Sequence, residues 1–168
     1  SFLSFFPTIG LILNIEEDHL DFFKDLADIR HSFRKFAELI PSDGCLIINA
    51  DIPDYAEITG GLSCRIITYS VNGAAADYRP SDITYDSFGH RSFVLHDSAG
   101  GTETFSLKVP GIHNVSNAMA SIALADYLSV SRQVTAEALQ AFSGTDRRFE
   151  YKGSIGGVTV IDDYAHHP

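Results

Sequence analysis

Four polar clusters in this chain hold residue types that could do chemistry. The first is Glu16, Glu17, Asp18, His19 and Asp21, at the exit of the apolar run Ile9-Gly10-Leu11-Ile12-Leu13. Carboxylates with a neutral imidazole can hold Mg2+, which keeps several waters and takes one or two protein ligands. Acids here would also suit the N-terminal end of a following helix, and His19 is the member that helix electrostatics accounts for least. The second cluster is Gly111, His113, Asn114 and Asn117. Its asparagines are three apart, so both amides fall on one face of a first helical turn. An amide offers the donor and acceptor that the edge of adenine requires. One Asn would serve as a cap; two with a histidine point further towards a ligand.

The third cluster, Thr145-Asp146-Arg147-Arg148-Phe149-Glu150, sets two guanidinium groups near a loop. They suit bidentate binding of phosphate or carboxylate or, equally, pairing with Asp146 and Glu150. The fourth, Asp162-Asp163-Tyr164-Ala165-His166-His167-Pro168, follows the apolar run Val158-Thr159-Val160-Ile161. An Asp after a strand can accept from ribose hydroxyls, and the imidazoles could bind a metal or a substrate carboxylate. The remaining histidines, His31, His90 and His96, have no polar company in the sequence and read as surface residues.

The elements that must position these clusters follow from periodicity. Ile9 to Leu13 and Cys45-Leu46-Ile47-Ile48 are continuous apolar runs, as in strands buried on both faces of a parallel sheet. Between them Leu26, Ile29, Phe33, Phe36, Ala37 and Ile40 recur at three- and four-residue steps, predicting a helix from about Asp25 that Pro41 ends. A short helix after Pro53 and a strand at Arg65-Ile66-Ile67-Thr68-Tyr69 complete a βαβαβ pattern, the signature of a right-handed parallel α/β unit. From Tyr78 to Val109 the pattern changes to alternation over Asp82–Tyr85, Arg91–Leu95 and Thr102–Val109, predicting a half-exposed antiparallel meander attached to the α/β body. Pro110-Gly111 ends it. A second long helix with an Ala-rich body, Ala118 to Leu128, follows, then a third capped by Ser131 and running to about Phe142. Phe149–Ser154 and Val158–Asp162 read as two strands turned at Gly156-Gly157. The predicted class is α/β: a mostly parallel sheet flanked by helices, with a small antiparallel subsheet.

Composition excludes some functions. With 22 acidic residues against 12 basic ones in 168, the formal charge is −10. Binding to nucleic acid or an anionic membrane surface is not expected, because phosphate contacts need clustered Lys and Arg. A nucleotide pocket needs only local donors and a metal ion. Cys45 and Cys64 have no metal-type spacing and read as buried reduced thiols, with a disulfide as the alternative. No apolar run approaches the roughly 18 residues of a membrane span. A start without Met or a signal-peptide pattern, and an end on a polar cluster, lead us to expect an internal piece of a longer chain.

Taken in order, the motifs Asn14-Ile15-Glu16-Glu17-Asp18-His19-Leu20-Asp21, Gly111-Ile112-His113-Asn114-Val115-Ser116-Asn117-Ala118, Arg147-Arg148-Phe149-Glu150 and Asp162 to Pro168 resemble the Mur ligase family. The last motif is most similar to the branch that adds L-alanine to UDP-N-acetylmuramate. The resemblance implies a P-loop-like central ATPase domain, its later part at residues 1–162 with the subsheet at 78–109. Residues 163–168 would begin the linker to a C-terminal domain. It implies an ADP-forming amide ligase of cytoplasmic peptidoglycan precursor synthesis, with ATP and Mg2+ as cofactors. UDP-N-acetylmuramate and L-alanine would be partners of the intact enzyme, together with N- and C-terminal domains of the same chain. ATP would phosphorylate the muramoyl carboxylate, and the alanine amine would attack the acyl phosphate.

Residue by residue, the resemblance carries Mg2+ to His19 and the adenine region to Asn114 and Asn117, with His113 beside them. It carries phosphate and substrate charge to Arg148, making His19 and Arg148 catalytic, and the ribose to Asp163. Tyr164 and His166 match positions near the nucleotide and the interdomain joint. The departures are informative. No Gly-x-x-x-x-Gly-Lys-Ser/Thr loop occurs in the chain, so by itself it is expected to bind ATP weakly or undetectably and to be inactive. The place where some relatives carry a carbamylated Lys falls near Phe33 and Arg34, with Lys35 adjacent, and no such modification is expected. Two alternatives stand beside this reading. One is the family's ligase for a recycled tripeptide, whose terminal motif is similar; the other is a non-catalytic nucleotide- or metal-binding module. The Asn14 to Asp21 motif and Tyr164 favour the alanine branch.

Overall fold

The computed structural model describes residues 2–16, 24–146, 148 and 150–164. Among these residues six strands form one sheet in the order β1-β2-β3-β4-β5-β6: Ile9–Ile12, Cys45–Asn49, Arg65–Tyr69, Tyr78–Tyr85, His90–Asp97 and Thr102–Pro110. The first three run parallel and the last three antiparallel. A single parallel pair, Tyr69↔Tyr78, joins the halves, so the meander is continuous with the parallel sheet rather than appended to it. Strands β7 (Glu150–Ile155) and β8 (Val158–Asp162) make a separate antiparallel hairpin. No helix of the described residues is long and apolar enough to cross a membrane.

Helices cover the sheet unequally. On one face lie α1 (Leu26–Glu38) and the one-turn α2 (Ala56–Thr59); on the other lie α3 (Ile112–Tyr127) and α4 (Arg132–Ala141). Asp25 caps α1, accepting from the Asp28 amide at 2.9 Å. The apolar stripe of α1 then packs Ile29, Ala37 and Ile40 against Ile12, Leu46 and Ile48. Gly10 lets this helix come close, since a Cβ there would sit 2.8 Å from Ile40 Cδ1. Strand β2 is the centre of the parallel half. Leu46 and Ile48 face α1, while Cys45 and Ile47 face α3, and all four are fully buried. Each aliphatic side chain so buried stabilises the fold by about 1.5–3 kcal/mol relative to exposure.

Strand β1 departs from the expectation of burial on both faces. It is an edge strand with Gly10 and Ile12 covered by α1 while Leu11 is exposed, because α3 packs over β2, β3, β4 and β6 instead. In the antiparallel half, alternation works as expected. Phe93 and Leu95 of β5 and Phe105, Leu107 and Val109 of β6 face α3 and α4 in one core. Among the described residues, no helix layer like that of the parallel half covers the other face of β4–β6. Strand β4 begins four residues earlier than alternation predicted and includes Pro80. Proline is tolerated because β4 has parted from β3 after Tyr78, leaving no ladder bond for the missing N–H to make. Cys45 and Cys64 are both buried free thiols.

Candidate functional site at the carboxyl edge of the parallel strands

In open α/β sheets ligands bind beyond the carboxyl ends of the strands, and here that edge is a built frame. Asn49, ending β2, donates from Nδ2 to the carbonyl of Leu13 at 3.2 Å, tying the exits of β1 and β2. Asp51 accepts from the Ser70 hydroxyl at 2.6 Å and from the amides of Val71 and Asn72 at 2.8 and 3.1 Å, which shapes the loop leaving β3. Asn14 closes the exit of β1 by donating to Glu16 Oε1 at 2.6 Å and accepting from the Ile15 amide. Sequence reading passed over Asn49 and Asp51. Their signal was present as an Asn-x-Asp directly after a buried strand, a common way to terminate one with side-chain-to-backbone bonds.

Helix α3 delivers the second cluster to the same edge. Its last residue, Tyr127, reaches the Asp43 carbonyl just before β2, so α3 runs opposite to β2 and its first turn lies at the carboxyl end. The buried phenol of Tyr69, ending β3, is pushed up to about 12 by burial, with Ser116 of that first turn pulling the other way. Among the described residues no hydrogen bond of good geometry satisfies the Tyr69 oxygen. Helix α3 opens with no side-chain cap and no acidic residue in its first turn, leaving amides that favour an anion. Gly111 precedes it with φ +95°, and a Cβ there would fall 2.5 Å from Cε1 of His113. Only glycine both adopts that backbone and leaves room for the ring.

The two asparagines do come together, in unequal roles. Asn114 donates from Nδ2 to the Pro110 carbonyl at 2.7 Å, and its Oδ1 accepts from Asn117 Nδ2 at 3.3 Å. Asn114 is thus committed to holding the turn. Asn117, exposed, keeps its carbonyl and one N–H for a ligand. Both line a groove of about 410 Å³ between α3, α4 and β6, walled by Val109, Ala118, Val134 and Phe142. Apolar walls with an amide at the rim can take a flat ring by its faces and read its edge. His113 stands exposed beside this rim.

The other expected residues are placed as follows. Arg148 is exposed, with its amide bonded to the Thr145 carbonyl at 3.2 Å. Register Glu150↔Asp162 puts Arg148 and the exposed Asp163 and Tyr164 at the same open end of the β7–β8 hairpin. His19 and His166 lie outside the described residues, as do Arg147 and His167. Among the described residues no three His, Cys, Asp or Glu side chains are grouped to hold a metal ion. Arg34 is committed elsewhere, donating to the carbonyls of Ile58 and Gly60 and pairing with Glu38. Two histidines read as lone surface residues have partners after all. His90 Nδ1 is 2.9 Å from Asp86 Oδ2, and His96 Nε2 is 2.7 Å from the Ser81 hydroxyl.

A parallel α/β sheet that gathers polar side chains and an uncapped helix start at its carboxyl edge defines a class of ligand-binding α/β domain. Residues 2–125 match the family described as the Mur ligase middle domain, and the chain belongs to the Mur ligase family. Over all 168 residues it is 52% identical to the UDP-N-acetylmuramate–L-alanine ligase of Lachnospira eligens, covering 37% of that protein. Two solved structures share the fold. MurF of Acinetobacter baumannii matches 96% of the chain and 35% of its own length, at TM-score 0.83 and 26% identity. The UDP-N-acetylmuramate–alanine ligase MurC of Thermotoga maritima matches 98% and 36%, at TM-score 0.78 and 30% identity. The chain therefore spans a little over a third of the relatives it matches.

Proposed function

We propose that this chain is the nucleotide-side part of the central domain of an ATP-dependent ligase that joins L-alanine to UDP-N-acetylmuramate. Residues 1–162 would belong to that domain and 163–168 would lead towards a further one. The carrying observation is the Asn114–Asn117 pair, hydrogen-bonded at the rim of the 410 Å³ groove where α3 meets the carboxyl edge. The groove's apolar walls and Asn117's open amide edge fit an adenine ring, with Asn114 fixing the angle of Asn117 and His113 beside it. ATP bound there with Mg2+ supplies the phosphoryl group that activates the muramoyl carboxylate for attack by the alanine amine. Around it this chain's residues do positional and electrostatic work, which is the main catalytic contribution in phosphoryl transfer. The α3 amides favour phosphate charge, Arg148 adds a guanidinium, Asp163 accepts from the ribose, and His19 is the proposed metal ligand. Tyr164 and His166 are assigned to the interdomain joint. The name of the Lachnospira relative supports alanine as the amine.

The test is a hybrid in which these 168 residues replace the matching segment of the Lachnospira eligens ligase. Phosphate release is followed with UDP-N-acetylmuramate plus either L-alanine or the recycled tripeptide. The expected result is turnover with L-alanine that His19→Ala largely abolishes. Turnover with the tripeptide alone would move the chain to the recycling branch, and a folded but inactive hybrid would favour a non-catalytic module.

A further inference from the structure

A second polar site lies on the uncovered face of the antiparallel half. There a cleft of about 430 Å³ is lined by Arg79 and Ser81 of β4, His96 of β5, Thr102 of β6 and Ser70 in the loop after β3. Arg79 and His96 are direct cross-strand partners, and Ser81 lies two residues along on the same face. Two cation-forming side chains set opposite each other repel when both are charged, and the Arg79 side chain has no hydrogen bond or ion pair among the described residues. The cleft's carboxylate does not offset them. Asp97 is occupied by Arg132 at 2.9 Å and by the amides of Gly101 and Ala99 at 2.8 and 2.9 Å.

The backbone is shaped around His96. The register of β4 shifts between Ser81 and Thr84, and Asp82 within that bulge has φ +49°. Bulges re-aim side chains, and here the result is a carboxylate 2.8 Å from the Ser81 hydroxyl, which is also 2.7 Å from His96 Nε2. A hydroxyl has one proton and a carboxylate only accepts. Ser81 therefore donates to Asp82, and His96 donates to Ser81 from Nε2–H. That polarity is the reverse of an activated serine nucleophile. It fixes the ring and leaves Nδ1, which has no partner among the described residues, as the edge available to a ligand.

We propose that this cleft binds a phosphoryl group, as free phosphate or as a phosphomonoester, held by Arg79 and His96. Arg79 can take two of its oxygens through the guanidinium fork. A phosphate carries its second proton with a pKa of about 6, so near neutrality it matches Nδ1 in either state of the ring: a P–OH donates to neutral imidazole, and a P–O⁻ accepts from imidazolium. A carboxylate could also accept from Arg79, but at neutral pH it has no proton to donate to a neutral Nδ1, so it fits the pair less well than a phosphate does.

The test is an NMR titration of the 168-residue chain, following the ring signals of His96 and His113 with inorganic phosphate, ribose 5-phosphate and acetate. Saturable shifts of His96 with both phosphates and clearly weaker ones with acetate are expected. Arg79→Gln, at an exposed position, should weaken the interaction about tenfold while the spectrum stays folded; Ser81→Ala should weaken it about threefold. Absence of saturation at His96, equal shifts with acetate, movement of His113 instead, or undiminished affinity in Arg79→Gln would overturn the proposal.

Discussion

Strands β1–β3 and β4–β6 share one sheet but not one environment. In the parallel half, β2 is covered by α1 on one face and α3 on the other, and its residues Cys45 to Ile48 leave no surface to water. In the antiparallel half only the α3–α4 face is covered among the described residues, and Val94, His96, Thr104 and Ser106 point away from the core that holds Phe93, Leu95 and Phe105. The parallel half is therefore held mainly by apolar burial. The antiparallel half relies in addition on a polar clasp. Arg132 of α4 donates to Asp126 at 2.5 and 2.8 Å and to Asp97 at 2.9 Å, and Tyr78 of β4 donates to Asp126 at 2.9 Å. Since Tyr69↔Tyr78 is the sole strand pair joining the halves among the described residues, this clasp fixes how β4 and β5 sit against the helices. Position along one sheet thus decides whether a residue acts through burial or through charge.

The contrast can be broken most directly in the two cores. Ile47→Ala should cost about 3–4 kcal/mol, since the site is closed on both faces and cannot collapse, while Val94→Ala on the uncovered face should cost about 0.5 kcal/mol or less. Urea denaturation measures both, and comparable losses would mean that the uncovered face is not uncovered. Next in size, Arg132→Ala should cost about 2–3 kcal/mol, the loss for a buried pair discounted for a guanidinium a quarter exposed. Hydrogen exchange should then quicken in β4, β5 and α4 before β2; a uniform change would deny the clasp its local role.

Acid should sharpen the same point. The Gly101 amide, then the Arg132 guanidinium and the Ala99 amide, hold the Asp97 carboxyl below its usual range, against the cost of partial burial. A lowered folded value means that this stabilisation is fully present above about pH 4 and fades as pH falls through that value and on to the folded one. Arg132→Ala should show a shallower acid decline than the unaltered chain, and identical declines would remove Asp97 from the account. The smallest change in stability is expected for Asn117→Ala, within about 0.5 kcal/mol. In the hybrid ligase that variant should raise KM for ATP several-fold, whereas an unchanged KM would take Asn117 out of the nucleotide site.

The apolar runs of β1 and β2, the stripe of α1 and the alternation of β5 and β6 made the mixed sheet legible, because side-chain period follows directly from backbone geometry. The cluster Gly111 to Asn117 was legible as a candidate site because its members are neighbours on one helical turn. What could not be read was anything that depends on register or crossing. His96 meets Ser81 across 15 residues and Arg132 meets Asp97 across 35, and no local pattern marks either pair. The exposure of Leu11 likewise depends on which strands α3 happens to cross. Even Asn114 and Asn117, chemically identical in sequence, became different when the Pro110 carbonyl engaged one amide and left the other open.

By itself, then, the sequence determined the α/β class, the order of elements and the four motifs that place the chain in its family, since each rests on short-range periodicity or on residues a few positions apart. Tertiary structure alone decided that β1 is an edge, that one face of the antiparallel half is left without a helix layer among the described residues, and that Arg79, Ser81 and His96 share a cleft there. Those outcomes come from helix length and strand register, which bring distant residues within hydrogen-bonding reach only after the layers have packed.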